Sequence, residues 1–316
     1  MQFSVPILLI VFNRPEKTKK ILRILEKLQP KYLFVSADGP RKNNKNDIIL
    51  CEEVKHLVNK INWDCELKTK YSKDNLSLKK NVLQSINWFF NNVDQGIILE
   101  DDCLPSKNFF DFCEKLLNKY RYEEKIMQIN GCNGGLVYEN INNASYFFSK
   151  INTTWGWASW KRAWDKFDEN FEDYKLYEER DLILNYYEDK EISNWMKSYF
   201  DKSINNLDNI WSTNWAYTIL KNNALCISPL KNLVENIGFD KSATSGNAER
   251  FFLYRKKIDE NFFIKKYADK IEYFKKNDQN YFYNLIKKID PRANRSYFRL
   301  QIKKILLKIF KIINQI

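Results

Sequence analysis

A single histidine, His56, serves the whole chain of 316 residues. That scarcity excludes Ser-His-Asp hydrolases, His-rich zinc sites and HExxH proteases, all of which need imidazoles this sequence does not supply. The six cysteines, at 51, 65, 103, 113, 132 and 226, form no CxxC pair and no short regular spacing. Neither a disulfide scaffold nor a structural zinc site fits that pattern, so reduced, mostly buried thiols are expected. Neither GxxxxGK[ST] nor GxGxxG occurs, which leaves a P-loop ATPase or a Rossmann dehydrogenase without support. The first apolar run, Val5 to Phe12, is eight residues long, far short of the roughly 20 needed to span a bilayer. With no signal-peptide pattern around it, the expected location is cytoplasmic. Internal repeats and low-complexity linkers are missing as well.

What is present describes a globular chain. Hydrophobic residues make up 44% and aromatics 16%, including nine tryptophans, too apolar for disorder. The length suits one large α/β domain or two modest ones. A net charge of +12 first suggests an acidic polymer as partner, but seven Lys or Arg and no acid lie in residues 292–316. Without them residues 1–291 carry +5, with no basic stripe or reading motif for nucleic acid.

The first 40 residues read as a βαβ unit. Val5 to Phe12 is continuous and apolar, as in a strand buried on both faces. Asn13 is the expected N-cap of a following helix, with Pro15 in its first turn and Ile21, Leu22, Leu25 and Leu28 at helical spacing. A second strand, Tyr32 to Ser36, runs into Ala37-Asp38-Gly39-Pro40, a turn signal. Further on, a helix is expected over 76–92, starting with Lys79-Lys80, then a short strand, Gly96 to Leu99. Beyond it come an amphipathic helix carrying Phe109 to Leu117 and a strand, Ile126 to Ile129, before a glycine-rich loop. Ligands of open α/β sheets bind at the carboxyl ends of strands, which places Arg14 and Asp38 correctly for a site.

Glu100-Asp101-Asp102 is the sharpest local feature. Three adjacent carboxylates at the end of a buried strand repel one another and lose hydration unless a cation compensates them. A hard divalent ion such as Mn2+ or Mg2+ suits carboxylate oxygens and keeps positions open for phosphate. Lys79, Lys80 and Arg14, all near helix starts, suit phosphates through charge and backbone amides. Trp155-Gly156-Trp157 brings two indoles beside a close backbone approach, and indole faces suit the C–H faces of sugars. Trp157, Trp160 and Trp164, at i, i+3 and i+7, are expected on one helix face as an aromatic core stripe. A further cluster, Trp211-Ser212-Thr213-Asn214-Trp215, precedes a helix.

Taken in order, VPILLIVFNRPEKT, VSADGP, a basic helix start, GIILEDDCLPSKNFFDFC, TWGWASWKRAW and NLVENIGF resemble bacterial nucleotide-diphospho-sugar transferases related to N-acetylglucosaminyltransferase I. The likeness runs over residues 3–246. It implies a GT-A-type, Rossmann-like, mostly parallel α/β sheet flanked by helices, forming a nucleotide-sugar-binding catalytic domain over 1–250. By the same resemblance Asp102 is the ligand of Mn2+ or Mg2+, and Glu100 and Asp101 contact the sugar and ribose. Asp38 pairs with the base, while Arg14 with Lys79 or Lys80 holds the diphosphate. Trp155, Gly156, Trp157 and Trp211 line the sugar or acceptor pocket. The implied reaction moves a sugar from a nucleoside diphosphate sugar, UDP-linked by expectation, to a hydroxyl of a surface-glycan precursor, free or lipid-linked, with inversion.

Three positions depart from the family pattern. Relatives carry an acid between the tryptophans where this chain has Ser212, Thr213 and Asn214, and neither Ser212 nor Asn214 accepts a proton as a base at neutral pH. A histidine common after the glycine-phenylalanine block is replaced by Ser242-Ala243-Thr244-Ser245, and Ser77 stands where glycine is usual. These changes leave open another base, Asp208 or Asp240, a different acceptor, or a catalytically weakened protein that only binds nucleotide sugar or glycan. A sugar-nucleotide nucleotidyltransferase is a further alternative, though Phe12-Asn13-Arg14-Pro15 is not the glycine-rich loop such enzymes begin with. Residues 251–316 read as a basic helical extension. Within it Phe298, Ile302, Ile305, Ile309, Ile312 and Ile316 share one face opposite lysines, a pattern suited to an anionic membrane surface, here the inner face.

Overall fold

The computed structural model describes residues 2–140, 142–205, 210–239 and 258–294. Its centre is an eight-stranded, mostly parallel sheet flanked by helices. In chain order the sheet contains β1 (Ile7–Val11), β2 (Tyr32–Ala37), β3 (Glu66–Tyr71), β4 (Gln95–Glu100), β6 (Ile126–Asn130), β7 (Tyr146–Ser149), β8 (Trp157–Trp160) and β9 (Leu225–Pro229). Their spatial order is β3-β2-β1-β4-β8-β6-β9-β7. The β3, β2, β1 and β4 strands are mutually parallel, and β8 runs antiparallel between β4 and β6. A small antiparallel pair, β5 (Cys103–Pro105) with β10 (Val234–Asn236), sits apart.

The unbroken apolar run of β1 has a physical cause, since helices cover both faces of the sheet. Ile7, Leu9 and Val11 point to one side, onto α1 (Pro15–Leu28), α2 (Lys45–Asn59) and α4 (Lys107–Lys119). Leu8 and Ile10 point to the other, onto α3 (Leu78–Phe90) and residues Trp211, Trp215 and Ile219. The polar β3 forms one edge of the sheet, where charged residues discourage pairing with another chain.

Two local expectations are corrected. Asn13 is not the cap of α1: Arg14 occupies that position and Pro15 the first turn, while Asn13 Nδ2 donates to Asp47 Oδ1 at 2.7 Å. Trp157 and Trp160 do not share a helix face, because they belong to β8, and Trp164 ends the short α5 (Lys161–Trp164) that follows. In a strand, residues three apart face opposite ways. Trp157 accordingly packs with Trp164, Trp211 and Trp215, whereas Trp160 joins the other core and donates to the Leu117 carbonyl.

A third core gathers α6 (Tyr174–Glu179), α7 (Leu182–Tyr187), α8 (Lys190–Ile204) and α9 (Trp211–Lys221). Phe282, Leu285, Ile286, Ile289 and Ala293 pack into it from the C-terminal region, whose described part holds α10 (Lys275–Tyr281), a π-helical turn, a short α-helical turn and a 3-10 turn at Pro291–Asn294. Residues 258–274 contain no helix. All six cysteines are free thiols, five of them buried, as their spacing implied. Among the described residues no helix is long and apolar enough to cross a membrane.

Candidate functional site

The order of the strands reverses direction at β1. From there the chain builds outward through β2 to β3 on one side and places β4 on the other. Such a reversal opens a crevice at the carboxyl ends of the two central strands. Ile10 of β1 pairs with Glu100 of β4, and the Asp101 N–H donates to the Ile10 carbonyl at 3.1 Å. Arg14, four residues beyond Ile10, and the acidic triplet therefore emerge on the two lips of the same crevice.

Across it, Arg14 Nη1 donates to Asp101 Oδ1 and to Asp102 Oδ2, both at 3.1 Å. The cation that the triplet requires is thus supplied in part by the protein itself. Asp101 is buried, and its Oδ2 has no hydrogen-bond partner. Burial, reinforced by Asp102 and Asp101, pushes Glu100 up to about 8. Burial also pushes Asp101 up to about 6, against the opposing pull of Arg14. The Asp102 side chain remains partly open, at 15% exposure. Its Oδ1 faces Asn236 Nδ2 at 3.4 Å, and its backbone carbonyl accepts from the Ile237 N–H at 2.8 Å. A Cβ on Gly238 would come within 2.3 Å of Asp102 Oδ2, so only glycine lets this segment lie against the carboxylate.

Asp38 follows β2 at the same sheet edge, buried. Its carboxylate accepts from the Gly39 and Leu76 N–H groups at 2.9 and 2.8 Å and from Asn75 Nδ2 at 3.0 Å. Burial raises its pKa, and those two backbone donors partly offset the rise. Asp38 thereby ties the start of α3 to the crevice. Lys79 is half-buried and Lys80 exposed in the first turn of that helix. Ser77 caps it at φ 73° and ψ 159° and makes no side-chain cap hydrogen bond, a backbone region that glycine alone adopts without strain.

The tryptophans divide between core and crevice. Ile98 pairs with Trp157 in an antiparallel register, so the chain before Trp157 runs alongside the carboxyl end of β4, toward the triplet. Gly156 turns there at φ 65°, and the half-buried Trp155 meets Phe239 at 5.3 Å, next to Gly238. Trp157 and Trp211 are corrected: at 1% and 4% exposure, stacked 5.7 Å apart, they are buried in the core. Asn214 is fully buried, and its Nδ2 donates to the Asp168 and Glu169 carbonyls. Ser212 instead lines a cleft of about 140 Å3 between α8 and α9. Asp208, Asp240, Ser242 to Ser245 and the amphipathic stretch from Phe298 lie outside the described residues.

No protein-family model matches the chain, and no curated protein matches it. Its function rests on the geometry of the crevice.

Sequence reasoning missed four contributors to that geometry. Asn75 and Leu76 hold Asp38, and Asn236 faces Asp102. Asp47, bound by Arg41 and Asn13, braces the loop that leads to Arg14. The Asn236-Ile237-Gly238 string was visible as a motif; the others carry no local signal.

Could the crevice hold a divalent ion? Among the described residues no three His, Cys, Asp or Glu side chains converge on one point, so the protein alone offers no complete cage. The unpartnered Asp101 Oδ2 and the partly open Asp102 are hard oxygen donors, which suit Mg2+ or Mn2+ once phosphate oxygens and water complete the shell. The donor set fits a shared site.

Proposed function

We propose that the chain is a metal-dependent, GT-A-type glycosyltransferase that moves a sugar from a nucleoside diphosphate sugar to a hydroxyl of a glycan precursor. The observation that carries this reading is the crevice between β1 and β4, with Asp101 and Asp102 on one lip and Arg14 on the other. A nucleotide would lie along the carboxyl edge from Asp38 to Asp102, its diphosphate between Arg14 and the first turn of α3, where backbone amides and Lys79 favour negative charge. Asp102 would hold Mn2+ or Mg2+, with Asn236 orienting its carboxylate. When bound, such an ion neutralises the charge of the leaving diphosphate. The acceptor hydroxyl oxygen would attack the anomeric carbon as the bond to diphosphate breaks, with inversion, its proton passing to a carboxylate base, for which Asp208 and Asp240 are the candidates, or to solvent. Residues 292–316 would bring the enzyme to the inner membrane face, near a lipid-linked acceptor.

A second reading has its own support. Asn214 is buried and donates to backbone carbonyls, and Ser212 is a hydroxyl, so neither supplies a base. A nucleotide-sugar-binding protein without turnover is compatible with that arrangement.

Thermal shifts with UDP, GDP, CDP and their sugars, with and without Mn2+, test both, because a ligand of the native state raises Tm by mass action. The transferase reading expects a metal-dependent shift that Asp102→Ala removes, together with slow donor hydrolysis. A shift without hydrolysis favours the binding protein. An unchanged shift in Asp102→Ala overturns the metal assignment.

A further inference from the structure

The cleft between α8 and α9 opens beside the crevice. Thr154 lines it and is followed at once by Trp155, whose ring meets Phe239 next to Gly238 and Asp102. Asn152, Thr154, Ser212 and Thr213 supply amide and hydroxyl groups to its lining, and Trp195 and Tyr199 supply aromatic surface. Among the described residues no charged side chain lines it. Aromatic faces combined with neutral donors and acceptors match an uncharged ring that bears hydroxyls.

The aromatic wall is fixed from behind by residues far away in sequence. Trp195 and Tyr199 lie one turn apart on α8, their rings 5.5 Å apart and nearly perpendicular. The Trp195 Nε1–H and the Tyr199 hydroxyl both donate to Asp290 Oδ2, at 3.0 and 2.6 Å. Asp290 Oδ1 accepts from Arg292 Nε at 2.8 Å and from the Arg292 N–H at 3.0 Å. The Arg292 guanidinium also donates to the Tyr199 hydroxyl and lies 4.0 Å over its ring. Core packing alone would need apolar contact here. Instead, one buried carboxylate and one guanidinium fix the planes of two rings that face a cleft, as a preformed binding wall requires.

We infer that Asp290 and Arg292 are positioning residues for this cleft, setting the Trp195–Tyr199 wall against which an uncharged sugar ring binds. That the ring is the acceptor rests on the transferase reading; that it binds does not. In this arrangement the start of the basic C-terminal segment and the shape of the cleft are one mechanical unit.

The test uses the full chain without nucleotide or metal. Methyl β-glucoside, methyl β-galactoside and methyl β-N-acetylglucosaminide are titrated by saturation-transfer NMR, with methyl β-glucuronide as the charged control. At least one neutral glycoside is expected to bind, and the glucuronide to bind much more weakly. Arg292→Lys, which keeps the charge but loses the planar fork, and Tyr199→Phe, which keeps the ring but loses the handle, should each weaken binding by about tenfold. Each variant loses a hydrogen bond to the buried Asp290, so Tm should fall by a few degrees, while the shift produced by UDP with Mn2+ should stay unchanged. If no neutral glycoside binds, or the glucuronide binds equally well, the sugar site is overturned. Wild-type affinity in both variants, or parallel losses of glycoside affinity, UDP response and Tm, overturns the positioning role. Glycoside binding in the absence of any response to UDP, GDP, CDP or their sugars would leave this inference standing and remove the transferase reading.

Discussion

Arg14 and Asp101 are 87 positions apart in sequence and 3.1 Å apart in space, joined across the gap between β1 and β4. The pair spans the crevice and neutralises part of a charge cluster that neither strand could carry alone. It also makes the crevice sensitive to single changes. Arg14→Ala should cost about 3 kcal/mol, because it leaves the Asp101 carboxylate buried without its cation. Adding Asp101→Asn should recover part of that loss by removing the stranded charge. Urea unfolding of both variants measures this, and equal stability of Arg14→Ala and wild type would show the pair to be incidental.

Ser77 sits at φ 73° and ψ 159°, where a side chain costs about 1–3 kcal/mol. Ser77→Gly should therefore raise stability by about 1 kcal/mol, after the greater freedom of glycine in the unfolded chain offsets part of the relief. Ser77→Ala should change little, since the hydroxyl makes no cap hydrogen bond. The urea midpoints of the two variants decide, and a loss of stability in Ser77→Gly would contradict the strain.

Trp157 and Trp155 are two residues apart but belong to different environments. Trp157→Ala should cost about 3–5 kcal/mol by opening a cavity among Trp164, Trp211 and Trp215. Trp155→Ala should cost about 1–2 kcal/mol, since its ring is only half-buried. If Trp155 belongs to the crevice, that variant should alter the response to nucleotide sugar more than it alters Tm. Paired unfolding and ligand titrations separate the two effects.

Hydrogen bonds from the Arg41 side chain, joined by Asn13, hold Asp47 down at about 2. A depressed carboxylate binds fewer protons folded than unfolded, so its contribution is present above the ordinary value near 3.8 and is lost as pH falls through about 2. Asp47→Asn should flatten the fall in stability between pH 4 and pH 2. It should also loosen the loop ahead of Arg14. Stability measured across that window, in variant and wild type, checks the sign; an identical slope would remove the pair from the account.

Much of the parallel half of the sheet is legible in the sequence. The runs at β1, β2 and β4 are apolar because both faces are covered, and that burial leaves a local mark in the sequence. The polar β3 at the sheet edge left no such mark, since an edge strand needs little apolar surface. The tryptophan segment misled for a definite reason. Spacings of three and seven suit one face of a helix, yet here Trp157 and Trp160 point to opposite sides of a strand. Both arrangements bury indoles, so periodicity alone could not separate them. The placement of Trp157 and Trp211 in a pocket failed with it.

The amino-acid sequence by itself determined that Glu100, Asp101 and Asp102 end a buried strand and that Arg14 lies near the start of a helix after another. It did so because strand burial and turn chemistry are local. Only the tertiary structure decided that β1 and β4 are neighbours, which brings the guanidinium onto the carboxylates and leaves Asp101 Oδ2 facing no partner. Likewise, only packing of the C-terminal region on α8 brought Asp290 under Trp195 and Tyr199. Contacts across about 90 residues depend on how layers stack, and no spacing along the chain encodes that.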